Sequence, residues 1–237
     1  MELTLPKNRK LGQNRKITHS KKPFSGRGAK SVMKDIVSRL KQFRGWGPKS
    51  PSGERWLMGQ FLVAMPGMPD PRFSRAVIYV CSHGPSGAMG LVINRLFGEA
   101  DFEMLLEQLN VEKSLATPDL QVQFGGPVEM GRGFVLHSSE YLREGTTRID
   151  ESIAITATVE IIQDIAEGNG PEHILMALGY AGWDAGQLEE ELKNNGWLTV
   201  AADENILFDT DLDSKWDRAM AKIGISPAML SETAGHA

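Results

Sequence analysis

The sequence predicts an α+β fold: a single domain over residues 55–237, built on a mixed β-sheet flanked by helices. Three observations carry this. Residues 59–95, GQFLVAMPGMPDPRFSRAVIYVCSHGPSGAMGLVINR, read as strand, turn, strand, turn, strand. His173–Gly179 contains an unbroken apolar run, Ile174 to Leu178, too continuous for an exposed edge strand. Around them lie segments with apolar residues at helical spacing, each opened by a residue suited to a helix cap.

The first stretch sets the frame. Phe61–Met65 is an apolar run ended by Pro66-Gly67-Met68-Pro69. Arg75–Ser82 is rich in the β-branched and aromatic residues that favour a pleated, half-buried backbone. His83-Gly84-Pro85-Ser86-Gly87 interrupts it and Ala88–Asn94 resumes it, which predicts a central hairpin with the first strand beside it. Val77 and Tyr79 alternate with Ile78 and Val80, so both faces of this strand are apolar and need cover.

Further on, Asp101 is a good N-cap for a helix over 102–110, with Phe102, Leu105, Leu106 and Leu109 on one side. Residues 113–120 read as a loop. Val122 and Phe124 mark a strand ended by Gly125-Gly126-Pro127, and a turn at Met130-Gly131-Arg132 leads to a strand over 133–137. Tyr141–Glu151 reads as a polar surface loop, and Ile153 and Ile155 as a brief strand. Thr158 caps a second helix, closed by Gly168-Asn169-Gly170-Pro171. Asp184 and Gln187 have the spacing of a capping box for a helix through Leu188, Glu191 and Leu192. Trp197–Val200 and Ile206–Phe208 read as strands, and Ser214 opens a last helix carrying Trp216, Ala219, Met220 and Ile223.

Residues 1–54 differ from this body. They read as a basic, mostly disordered arm with a short amphipathic helix over 31–43 and a linker over 45–54. In the helix Val32, Met33, Ile36, Val37, Leu40 and Phe43 share a side, against Lys34, Asp35, Arg39, Lys41 and Arg44. Such a helix suits a membrane surface, a partner groove or the chain's own acidic body. Residues 1–50 hold 14 basic and 2 acidic residues, a net +12, whereas 51–237 hold 12 and 28, a net −16. The body therefore repels duplex DNA, and nucleic acid is a partner only through the arm. No apolar run reaches the roughly 18 residues of a transmembrane segment. One cysteine, Cys81, allows no internal disulfide and points to a reducing cytoplasm.

No stretch spells out a reaction. Cys81 or Ser82 with His83 or His137 would make a nucleophile–base pair only if the fold joined them, and a lone cysteine is ordinarily a small buried hydrophobe. Asp209, Asp211 and Asp213 imitate a calcium loop, but Ser214 and Met220 stand where glycine and glutamate belong. The glycine turns lack the lysine of a phosphate loop. Neither a metal nor a cofactor is expected. A functional surface is expected among Asp70, Arg72, His83, Asn94, Arg95, Arg132, His137 and Trp183, the polar and aromatic groups at turns and strand ends.

AMPGMPDPRFSRAVIYVCSH and GAMGLVINR, then QFGGPVEMGRGFVLHS at 123–138, ALGYAGWDAGQLEEELKNNGWL at 177–198 and ILFDTDLDSKWDRAMAKIGISPAML at 206–230, resemble the bacterial YqgE/AlgH family. The resemblance covers nearly all of 57–237. It implies a cytoplasmic α+β domain with a mixed sheet, in a family without an established biochemical activity, and it supplies no catalytic residues. The family name suggests transcriptional regulation, yet no helix-turn-helix pattern appears. The leading expectation is a non-catalytic regulatory or interaction protein with a protein partner, not an enzyme. The alternatives are a small-molecule-binding protein or an undetected hydrolase or transferase, and then a DNA-binding regulator.

Overall fold

A computed structural model describes residues 57–225. The expectations for the basic arm, its helix and its linker lie outside these residues. The described chain runs β1 (Gln60–Ala64), a 3₁₀ turn (Pro71–Phe73), β2 (Val77–Gly84), β3 (Gly87–Val92), β4 (Leu96–Asp101) and α1 (Phe102–Leu109). There follow β5 (Gln121–Phe124), β6 (Val128–Ser138), β7 (Thr146–Arg148), β8 (Ile153–Thr156) and α2 (Val159–Ala166). The last part is β9 (Ile174–Trp183), α3 (Gln187–Lys193), β10 (Trp197–Ala201), α4 (Glu204–Leu207) and α5 (Lys215–Lys222).

The strands form one curled sheet in the order β10-β1-β2-β3-β9-β6-β8-β7, with β5 paired to β9 and β4 to β5. The α+β expectation holds with the sheet dominant. Its pairs are antiparallel except β5–β9, which makes it mixed in that one place. The predicted β2–β3 hairpin forms, with β1 beside it as expected.

The 174–178 run is central for a physical reason. β9 is bonded to β6 on one side, and on the other to β5 along its first half and to β3 at its end. Backbone there is crowded. A Cβ on Gly126 would lie 2.1 Å from the Tyr180 carbonyl carbon, and one on Gly179 2.4 Å from the Gly126 oxygen. The Gly125-Gly126 pair thus lets two chains approach rather than cradling an anion.

The alternation in β2 sorts two cores. Val77 and Tyr79 point into the curl of the sheet with Phe61, Leu136, Ile206 and Trp216. Ile78 and Val80 point outward to Leu62, Trp183, Leu188 and Trp197 under α3. A third cluster joins α1 and α2 to Val122, Val135 and Met176.

Four local expectations are corrected. Ile206–Phe208 is not a strand: Asp203 accepts from the Asn205 N–H at 3.0 Å and opens α4, which buries Ile206 and Leu207. Met130-Gly131-Arg132 is not a turn but lies within β6, where the register with β9 slips between Val128 and Gly133. The Tyr141–Glu151 loop contains the edge strand β7 and buries Tyr141 and Ile149. Thr158 stands at the N-cap of α2 but its side chain makes no capping bond. Asp101, by contrast, caps α1 as expected, accepting from the Met104 N–H at 2.8 Å.

Candidate functional site

The Met65–Arg75 loop is built by its prolines and pinned by side chains from the far end of the hairpin. Asp70 caps the 3₁₀ turn, accepting from the Arg72 N–H at 2.9 Å and from its guanidinium at 3.0 and 2.6 Å. That pairing holds the Asp70 carboxyl below the usual carboxylate range. Asn94 accepts from the Val77 N–H at 2.9 Å and donates to the Arg75 carbonyl at 2.9 Å. Arg95 donates to the carbonyls of Arg72 and Ser74, and its partial burial lowers its pKa. Arg75 takes a left-handed backbone, φ 54°, which costs a non-glycine residue about 1 kcal/mol. Its guanidinium lies 4.1 Å from the Trp216 ring centre and 2.8 Å from Asp217, so the surroundings hold the strain in place.

Facing this loop is an aromatic wall. Trp183 ends β9, Trp197 begins β10 and α3 runs between them. Glu191 on α3 ties the two together: one carboxylate oxygen accepts from the Trp183 indole at 2.9 Å and the Trp197 indole at 2.7 Å. The other oxygen accepts from the Gln187 amide at 2.9 Å. The indoles meet edge-to-face at 6.0 Å, and Phe73 meets Trp197 the same way at 5.6 Å.

Between loop and wall lies an open groove of about 490 Å³, with Met68, Phe73, Val128, Trp183 and Trp197 as its apolar lining. A second hollow of about 330 Å³, bordered by Ser82, Met89 and Tyr180, continues it. Val128, Gly182 and Trp183 line both. Beside Val128, Glu129 is also left-handed, φ 44°, and takes bonds from Arg132 and the Tyr180 hydroxyl. Strained, held residues of this kind gather where a surface is used.

The expected site residues divide accordingly. Asp70, Arg72 and Trp183 line the groove, and Asn94 and Arg95 fasten its loop. Arg132 stacks over Phe134 with its guanidinium 5.0 Å from the ring centre. His83 is bonded to Glu189 at 2.9 Å and braces α3 against the hairpin. His137 is fully buried at the opposite end of β9, between the Ser138 carbonyl and the Thr156 hydroxyl. His83 pairs through Ala88 with Trp183, whereas His137 pairs with Ile174, so about 30 Å of strand separates them. The structure therefore does not form a His83–His137 pair. Cys81 is buried and its thiol pushed well up, as a core residue's would be. In the Asp209–Asp213 run, Asp209 accepts from the Asp211 N–H at 2.8 Å and pairs with Arg218, tying down the start of α5.

Phe73, Val128, Gln187, Glu191 and Trp197 line the groove outside the eight expected residues. One signal was present: Glu191 shares the face of α3 with Leu188 and Leu192, and a carboxylate on an apolar stripe needs a partner.

A family model described as AlgH-like matches residues 61–228. The chain belongs to that family. A UPF0301 protein of Rhodospirillum rubrum is 54% identical over 184 residues, covering 78% of this chain and 96% of the relative. One from Bradyrhizobium diazoefficiens is 50% identical over 202 residues, 82% of this chain and 94% of its own. The solution structure of AlgH from Pseudomonas aeruginosa superposes with a TM-score of 0.65 at 42% identity, over 81% of this chain and 100% of that one. A crystal structure from Corynebacterium diphtheriae, TM-score 0.59 at 17% identity, shares the fold over 76% of this chain and 94% of its own. The AlgH-like region begins within β1, so the groove lies inside it and the basic arm outside. No described helix of this AlgH-like chain is long and apolar enough to cross a membrane.

Proposed function

We propose that this AlgH-like protein is a non-catalytic binding protein, whose groove takes an apolar, basic-flanked segment of a protein partner in the cytoplasm. The observation that carries this is the Glu191 clamp. Two indoles are fixed beside an open hollow, and the polar groups around them are already bonded to one another. Such a site offers ready-made apolar contact with little side-chain ordering left to do, the character of a binding hot spot. Exposed Asp184, which borders the second hollow, favours a basic flank. Among the described residues, His83, His137, Cys81 and Lys215 are enclosed or tied to neighbours.

Selection of displayed peptides on the full chain tests this, with counter-selection on Val128→Glu, which places a charge in the groove without touching the core. Peptides with an aromatic or long aliphatic anchor and basic flanks should survive. Survivors that bind the variant equally well would contradict the reading.

A second reading is a small-molecule ligand, favoured by the groove volume, which falls within the usual 300–1,000 Å³ of ligand sites. It predicts a molecule retained through purification and released on denaturation. Duplex DNA is disfavoured, because residues 57–225 hold 26 acidic and 11 basic side chains.

A further inference from the structure

We infer that residues 31–44 of the same chain are an occupant of this groove, seating their apolar side against Met68, Phe73 and Val128. This rests on reading the groove as a segment-binding site and adds which segment fills it. Three observations point there. Leu57, the first described residue, packs with Met68 and Phe73 against the cluster containing Trp183 and Trp197. The described chain therefore begins on the sheet face that carries the groove. Only residues 45–56 separate Leu57 from the segment, and their extended reach is roughly 40 Å, enough to return across the groove.

The second observation is pattern. Val32, Met33, Ile36, Val37, Leu40 and Phe43 repeat at the spacing of one helix side, an apolar row that suits an elongated hollow. The groove and its continuation past Val128 provide such a hollow. The third is charge. Lys34, Arg39, Lys41 and Arg44 flank the apolar row, while Asp184 stands exposed at the border of the second hollow. The arm carries +12 over residues 1–50 and the described body −15. Because the segment is tethered, its effective concentration at the groove is in the millimolar range, so even weak affinity populates the docked state. A partner segment must then displace the arm, which makes the arm a built-in competitor.

The test uses the full chain with a nitroxide on Arg39→Cys, Cys81 being buried and its thiol held protonated. Amide signals of Gly182, Trp183 and Leu188 should lose most of their intensity, while those of Val159–Ala166, over a different cluster, should keep theirs. Ile36→Asp with Leu40→Asp should restore the lost signals, and added salt should restore them in part. Broadening spread evenly over the body, or unchanged by the double substitution, would overturn the inference. So would broadening that appears only when spin-labelled and isotope-labelled chains are separate molecules, since the occupant would then be a second copy. A groove-selected peptide separates the two claims. Bound to the double variant while the spin label on the chain without those two substitutions gives no groove effect, it overturns arm docking and leaves the groove reading standing. Bound several-fold more tightly by the double variant than by the natural chain, it supports arm docking.

Discussion

The inside of the curled sheet and the groove on its outer face are both lined with aromatic rings and hydrogen-bonded polar atoms, held in opposite ways. Inside, Tyr79 donates to Asp150 at 3.0 Å, Trp216 to the Ala64 carbonyl at 2.9 Å and Lys215 to the Leu207 carbonyl at 2.8 Å. Burial pushes the Tyr79 hydroxyl and the Cys81 thiol well up and drops Lys215 to about 7. These are the most perturbed groups described, and solvent reaches none of them. In the groove, Asp70 is held low by an exposed partner, and the indoles share Glu191 at the border of an open hollow. Perturbed titration here marks closure. The groove's indoles differ in what they border rather than in exposure: Trp183 and Trp197 are 7% and 3% exposed, and both line an open hollow.

The comparison is broken most severely by charging the wall between the two regions. Ile78 is fully buried on the outer side of β2. Ile78→Asp should abolish cooperative urea unfolding, because an unpaired carboxylate there costs about 4 kcal/mol or more. A folded variant would mean the outer face is not a second core. Next in size, Trp216→Ala should cost about 3–5 kcal/mol, judged from urea midpoints. Phe73→Ala at the half-exposed groove edge should cost clearly less. Equal losses would erase the distinction between core and groove.

Lys215 sharpens the comparison through pH. Its folded pKa of about 7 lies below the ordinary 10.5, so between these limits the unfolded chain keeps a proton the folded chain has released. Stability from this residue therefore rises with pH above about 7. The raised Cys81 and Tyr79 act in the opposite sense above about pH 8.5, where the unfolded thiol begins to ionise. From pH 7 to 8.5 the natural chain should gain up to about 2 kcal/mol relative to Lys215→Met. Parallel pH profiles of the two chains would show that Lys215 is not buried as described. The smallest effects belong to the surface. Val128→Glu should change stability by no more than about 0.5 kcal/mol while removing peptide binding, and deletion of residues 1–54 should cost less than about 2 kcal/mol.

Much of this body was legible because its elements obey simple periods. Both faces of β2 are apolar and both are covered, and the 174–178 run became the strand with neighbours on each side. β4 was illegible because it is exposed and pairs irregularly with β5, leaving no alternation to read. Ile206–Phe208 misled because a short apolar run fits strand or helix equally, and Asp203 decided it. The groove was half legible. Asp70, Arg72 and Trp183 stood out as polar or aromatic groups at turns, but Phe73, Trp197 and Glu191 join them only through long-range packing. The two histidines failed as a pair because distance along β9 cannot be read from residue types.

The most direct test of the groove as a binding site is the set of tryptophan indole N–H signals in a proton–nitrogen NMR spectrum, recorded as a groove-selected peptide is added. The Trp183 and Trp197 signals, both bonded to Glu191, should shift together and saturate, while Trp216, bonded to the Ala64 carbonyl inside the sheet, stays in place. Movement of Trp216 with the two groove indoles unmoved would contradict the account.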